Sequence, residues 1–155
     1  MGLALVVGSG AASAKIYGNA RFGYFIDVPA AFLVADPEPE NGDGRVFHPA
    51  DKSADLIVSG SWITEDNFAA EVAQYKSLMV QDGWKLTYEN KPNKTAAVYS
   101  AQKGGRIFYA RMIPSCGGKA HADYRLEYPV TDKAKYDGVI KTLNASLKAG
   151  KGSCG

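Results

Sequence analysis

Four side chains stand out as able to carry acid–base or nucleophilic chemistry: His48, His121, Cys116 and Cys154, the only histidines and cysteines of the chain. A serine or cysteine nucleophile needs a base within hydrogen-bond reach. His48 precedes Pro49 in an expected loop, and His121 falls on the polar side of an expected strand, so both are expected to be exposed. No G-x-S-x-G elbow lies in the body of the chain, because Gly8-Ser9-Gly10 belongs to the N-terminal segment. The expectation is no catalytic residue. Neither cysteine sits in a C-x-x-C pair, and no histidine or cysteine has metal-ligand spacing. An even count in an oxidising compartment favours a disulfide. A Cys116–Cys154 bridge would close residues 117–153 into a loop and add about 3–4 kcal/mol in the chain-entropy model. It would also pin the tail that follows Ala149.

The acidic stretch Asp36-Pro-Glu-Pro-Glu-Asn-Gly-Asp-Gly44 invites a calcium reading, since hard cations take carboxylate and carbonyl oxygens. The EF-hand pattern fails: counted from Asp36, Asn41 stands where glycine is required and Phe47 where glutamate is. A solvated loop is the expectation, with no metal and no cofactor. Lys103-Gly-Gly-Arg106 reads as a hairpin turn, not a phosphate cradle. Tyr109, Tyr124 and Tyr128 sit on alternating strands, where they pack a core or line a ligand groove.

The elements that position these residues follow from periodicity. Arg21–Val28, Asp55–Ile63, Trp84–Glu89, Thr95–Gln102, Arg106–Ile113 and Ala120–Tyr128 read as strands, most with a period of two. The turns Asn90–Lys94, Lys103–Gly105 and Ser115–Lys119 are too short for parallel crossovers, so the last four strands form an antiparallel meander. Asn67–Gln81 carries Phe68, Val72, Tyr75 and Met79 at helical spacing, with Asp66 as N-cap, Glu71 off the stripe and Gly83 as the stop. Lys133–Lys148 carries Tyr136, Val139, Ile140, Leu143 and Leu147, capped by Thr131 or Asp132 and ended by Gly150. The fold class is therefore α+β: an antiparallel β-sheet of about six to seven strands flanked by two main helices.

Residues 1–14 carry no charge, and Ala12-Ser13-Ala14 fits a signal-peptidase site. The segment lacks the basic start of a signal peptide, so it reads as a truncated one, with 15–155 as a single α+β domain. Leu3–Val7 is too short to span a bilayer, which takes about 20 residues. The expected location is periplasmic or secreted. Net charge is +2 with no run of Lys and Arg, which argues against a nucleic-acid surface.

The segment Tyr17-Gly-Asn-Ala-Arg-Phe-Gly-Tyr-Phe-Ile-Asp-Val-Pro29 resembles the N-x-x-F-G-F-x-x-x-Y-P opening of PsbP-like domains. Glu40–Phe47 and the closing Asn144-Ala-Ser-Leu-Lys148 are similar to segments of exported bacterial members of that fold group. The resemblance spans roughly residues 17–148. It implies accessory or binding roles and carries no catalytic residue onto this chain. The residues themselves have a packing role: Phe22, Tyr24 and Ile26 fill a sheet face, Gly23 allows close approach of a neighbouring chain, and Gly42 and Gly44 can supply positive φ. The leading expectation is a non-catalytic exported accessory or binding protein for a protein partner or small ligand, with Glu40, Asp43 and Arg45 as contacts. The alternatives are an immunity protein that neutralises a secretion-system effector, and a hydrolytic or metal-dependent enzyme with an unfamiliar site.

Overall fold

A computed structural model describes residues 14–91, 93–151 and 154. The expected signal segment lies outside the described residues except for Ala14. Ten strands and two helices follow one another as β1 (Lys15–Asn19), β2 (Tyr24–Val28), β3 (Val34–Ala35), β4 (Gly44–His48), β5 (Asp55–Trp62), α1 (Phe68–Gln81), β6 (Lys85–Glu89), β7 (Ala97–Lys103), β8 (Arg106–Ser115), β9 (Ala120–Pro129), α2 (Lys133–Ser146) and β10 (Lys148–Ala149). The main sheet has seven strands in the order β3-β4-β5-β9-β8-β7-β6, all paired antiparallel. Its right half is the meander expected from the short turns. The sequence did not reveal the second sheet, β1-β2-β10.

Two cores lie on opposite faces of the main sheet. On one face, Phe22 of the turn before β2 and Tyr24, Ile26 and Val28 of β2 pack with Leu56 and Val58 of β5, with Ala122, Tyr124 and Leu126 of β9, and with Tyr136 and Leu143 of α2. On the other, Phe68 and Val72 of α1 meet Trp84, Tyr99, Phe108, Ala110 and Met112. Each large apolar side chain buried in this way contributes about 1.5–3 kcal/mol. Gly60 lets β2 lie close on β5: a Cβ there would come within 2.6 Å of the Phe22 side chain, whose ring stacks edge-on with Trp62 at 5.2 Å.

Helix boundaries differ from expectation in instructive ways. Asn67, not Asp66, caps α1, its side chain accepting from the Ala70 amide at 3.0 Å. Gly83, at φ +92, ends the helix as expected. Asp132 occupies the N-cap position of α2 but makes no side-chain cap bond. That helix stops at Ser146 instead of Lys148, because Lys148 and Ala149 pair with Phe25 and Tyr24 of β2. The Gly150 amide then donates to the Gly23 carbonyl at 2.8 Å. Gly44 opens β4 without positive φ, correcting one of the two glycine expectations, whereas Gly42 has φ +62.

Cys116 and Cys154 are joined, with Cα atoms 5.2 Å apart. The chain that approaches Gly23 is this tail: a Cβ on Gly23 would lie 2.7 Å from the Cys154 sulfur, and its φ is +61. Two demands thus fall on one glycine, space and a left-handed backbone. Breaking the bridge by Cys116→Ser with Cys154→Ser is expected to cost about 2–4 kcal/mol. Gly23→Ala is expected to cost at least about 1–2 kcal/mol from backbone strain alone. Urea denaturation of the oxidised proteins measures both, and a Gly23→Ala variant as stable as the parent would contradict the packing described.

Candidate functional site

His121 is not on a wet face. It is 1% exposed, beneath α1. The Tyr75 ring sits edge-on at 4.9 Å. Its Nε2 is 3.6 Å from a Glu71 carboxylate oxygen, and its Nδ1 is 3.4 Å from Asp123. Glu71 is likewise 3% exposed, although its helical position placed it off the apolar stripe. The reason is visible in its second oxygen, which accepts the backbone amides of Thr64 and Glu65, each at 3.0 Å. Glu71 therefore holds the β5–α1 connection while its other oxygen faces His121. Asp123 accepts the Ser59 hydroxyl at 3.2 Å. The hydroxyl of Ser59 is directed at a carboxylate and not at the imidazole, so the group works as a polar cross-link between α1, β5 and β9.

His48 is the last residue of β4, not a loop residue, and it is half-buried between two acids, not exposed. Asp36 reaches Nε2 at 3.1 Å and Asp55 reaches Nδ1 at 2.9 Å. The chain of charges continues from Asp55 to Arg106 at 3.8 Å, from Arg106 to Glu127 at 3.4 Å, and from Glu127 to Arg125 at 3.0 Å. Arg125 ends it with its guanidinium 4.1 Å above the Phe108 ring, a cation–π contact. The His48 imidazole is held above its ordinary pKa, chiefly by the hydrogen bond to Asp36, against a lowering from burial.

The acidic loop does not converge on one point. Glu40 is exposed in a turn closed by the Gly42 amide on the Pro39 carbonyl at 2.9 Å. Asp43 is tied inward through its carbonyl, which accepts the Tyr24 hydroxyl at 3.0 Å and the Gly60 amide at 2.9 Å. Burial raises the Tyr24 phenol far above its usual pKa. Arg45 lies in β4, and its Nε donates to the Asp36 carbonyl at 3.0 Å. Asp36 turns to the α1 side of the sheet and Arg45 to the other, because alternate residues of a strand point to opposite faces. Among the described residues, no three His, Cys, Asp or Glu side chains come together as a cation cage.

Arg45 lines a groove of about 360 Å³ between β1 and the β3–β4 edge. Its walls are apolar: Tyr17, Val28, Phe32 and Phe47 line it, Ile16 and Leu33 stand at its rim 75% and 71% exposed, and Lys15 joins Arg45 as the cations. Sequence reading passed over Ile16 and Leu33. The available signal was the apolar run Ala30-Ala-Phe-Leu-Val34 directly after Pro29, with no turn residue to explain it. Of the three tyrosines singled out, Tyr124 is core, its hydroxyl bonded to Asn144 at 2.6 Å. Tyr128 is also core, 2% exposed and packed on Tyr136, and only its edge reaches a second groove beside α2, which Tyr109 faces more openly.

Two predictions follow from the buried polar groups. Removing Glu71 leaves two loop amides without their acceptor, so Glu71→Ala is expected to destabilise by about 2–4 kcal/mol in urea denaturation. A cycle with His121→Ala is expected to give a coupling energy above about 0.5 kcal/mol. For His48, a folded-state pKa above the unfolded value means its stabilisation is complete below about pH 6.5 and is lost as pH rises through the folded value. An NMR titration should place His48 above 6.5, Asp36→Asn should lower it, and the β3 amides should lose exchange protection on the alkaline side. A midpoint unmoved by Asp36→Asn contradicts the assignment.

No protein-family model matches the chain, and no curated protein matches it. Among solved structures, cyanobacterial PsbP (CyanoP) of Synechocystis sp. PCC 6803 superposes with a TM-score of 0.64 at 16% identity, over 95% of this chain and 98% of that one. The Ran-binding protein Mog1p of Saccharomyces cerevisiae superposes with a TM-score of 0.60 at 9% identity, over 88% and 95% of the two chains. A second Mog1 structure, of a point mutant, gives 0.59 at 9% identity and the same coverage. At these identities the likeness concerns the fold, and it is that of the expected group: the chain has the PsbP-like α+β fold.

Proposed function

We propose that this chain is a non-catalytic accessory or binding protein that acts outside the reducing cytosol and docks a protein partner in the groove between β1 and the β3–β4 edge. The observation that carries the reading is the apolar groove itself. Leu33 and Ile16 stand in water at its rim, and exposed apolar patches of this kind mark interaction sites. Among the described residues β1 has a strand neighbour on one side only and β3 is a two-residue edge strand, so both borders of the groove offer backbone groups that no described strand pairs. Lys15 and Arg45 at the borders favour an acidic segment with apolar side chains. Glu40 and Asp43, on the loop before β4 and outside the groove lining, are the accompanying contacts for basic groups that flank that segment. The fold neighbours support binding over catalysis in kind, Mog1p being a Ran-binding protein.

Export supplies the oxidising surroundings for Cys116–Cys154, with cleavage after Ala14 leaving 15–155 as the mature domain. Mass analysis under non-reducing conditions is expected to find a chain that begins at Lys15 with no alkylatable thiol; a chain from Met1 with two reactive thiols overturns the compartment. For the docking site, a photoreactive residue at Leu33 is expected to capture a defined periplasmic protein that the same residue at Lys94 does not. Leu33→Asp combined with Arg45→Glu is expected to lower capture about tenfold or more at unchanged thermal stability. Equal capture by parent and variant would remove this groove from consideration.

A further inference from the structure

The second groove lies on the same face of the main sheet as the small sheet, at the other end. It has a volume of about 430 Å³, between α2 and the β6–β7 edge. We propose that it binds an uncharged saccharide. Its floor holds Tyr109, Tyr128, Ser100 and Gln102; Lys133 and Asp137 of α2 form one wall, and Tyr88 stands opposite, 54% exposed.

The first support is a register shift in β6. A regular strand would send Thr87 and Tyr88 to opposite faces, but pairing with β7 slips between Leu86 and Tyr88, and both side chains line the groove. Bulges re-aim side chains in this way at edges and binding sites. An isolated packing tyrosine would gain nothing from the slip, because Tyr88 remains largely in water. The Thr87 hydroxyl meets the Ser100 hydroxyl at 3.1 Å, which fixes the re-aimed segment on the floor.

The second support is the chemistry of the lining. Tyr109 is held from behind, with Asn144 donating to its hydroxyl at 3.0 Å and the Tyr124 ring stacked at 6.3 Å. Its ring is thereby fixed before any ligand arrives. Lys133 and Asp137 enter none of the ion pairs within 4.0 Å found among the described residues. One positive and one negative group on the same wall cancel in net charge, which disfavours a charged ligand. Together with Gln102 they offer both donors and acceptors, the complement of a polyhydroxylated molecule. The rings of Tyr88 and Tyr109 offer flat apolar surface to the C–H face of a sugar ring. A groove of this size, mostly apolar with a few convergent polar groups, is of the kind small ligands occupy.

The test is titration of the isotope-labelled full chain with maltotriose, cellotriose and chitotriose, followed by amide NMR. At least one is expected to give saturable shifts confined to residues 86–88, 100–109 and 130–140. Tyr88→Ala is expected to weaken that binding about tenfold or more, Tyr88→Phe to retain it, and Asp137→Asn to weaken it, all at unchanged melting temperature. Leu33→Asp, in the other groove, is expected to leave it untouched. The proposal is overturned if none of the three sugars saturates at tens of millimolar, if the shifts map elsewhere, or if Tyr88→Ala and Asp137→Asn bind like the parent.

Discussion

The arrangement depends on how the small sheet is fastened to the main one. β2 supplies Tyr24, Ile26 and Val28 to the larger core, and the turn before it supplies Phe22, yet in sequence they are far from the strands they cover. What holds them is a convergence at Gly23. The tail from α2 crosses there, Gly150 donates to its carbonyl, and the Cys154 sulfur occupies the space where a side chain would be. The partner cysteine, Cys116, sits in the tight turn between β8 and β9. One covalent bond thus joins the C-terminal tail to the central hairpin of the main sheet, and the turn before β2 packs against it at Gly23. A strand pair such as β1–β2 is marginal alone; β10 makes it a three-stranded sheet, and the disulfide tethers β10.

The coverings of the main sheet are offset, and the offset generates both grooves and the open His48 end. α1 lies over the β6–β9 end of one face, leaving Asp36, His48, Asp55 and Ser59 half-exposed on the β3–β5 end. The small sheet and α2 lie over the middle of the other face, leaving the β3–β4 border to one groove and the β6–β7 border to the other. A seven-stranded twisted sheet is wider than one helix, or one helix and a short sheet, can cover. The uncovered ends must then be polar, charged or occupied. At the His48 end they are charged and self-paired; at the two grooves they are not.

Periodicity made the individual elements legible. The alternation in Ala120–Tyr128 and the stripe in Asn67–Gln81 depend only on neighbours in sequence, and both correspond to observed elements. The disulfide was also within reach, since two cysteines allow only one intramolecular pairing. What local pattern could not supply was which polar face would be roofed. His121 and Asp123 occupy equivalent alternate positions, yet only the first lies at depth under α1. Glu71 looked like a solvent-facing helix residue because its partners, the Thr64 and Glu65 amides, are backbone groups that no side-chain pattern records. The early end of α2 and the slip in β6 have the same origin: strand pairing with distant residues overrode local preference.

The two histidines and the two grooves differ in how far their polar groups are already paired within the fold. Each histidine stands between two acids drawn from different elements: His48 between Asp36 and Asp55, His121 between Glu71 and Asp123. Asp36 and Asp55 occupy both nitrogens of His48, whereas the buried His121 nitrogens face Glu71 and Asp123 without a hydrogen bond to either. Unshielded apolar surface and side-chain charges outside any ion pair lie in the two grooves, where Lys15, Asp137 and Lys133 stand beside Leu33, Ile16 and Tyr88. Free energy of association comes from satisfying such groups, so binding is expected where the protein has left its own interactions incomplete.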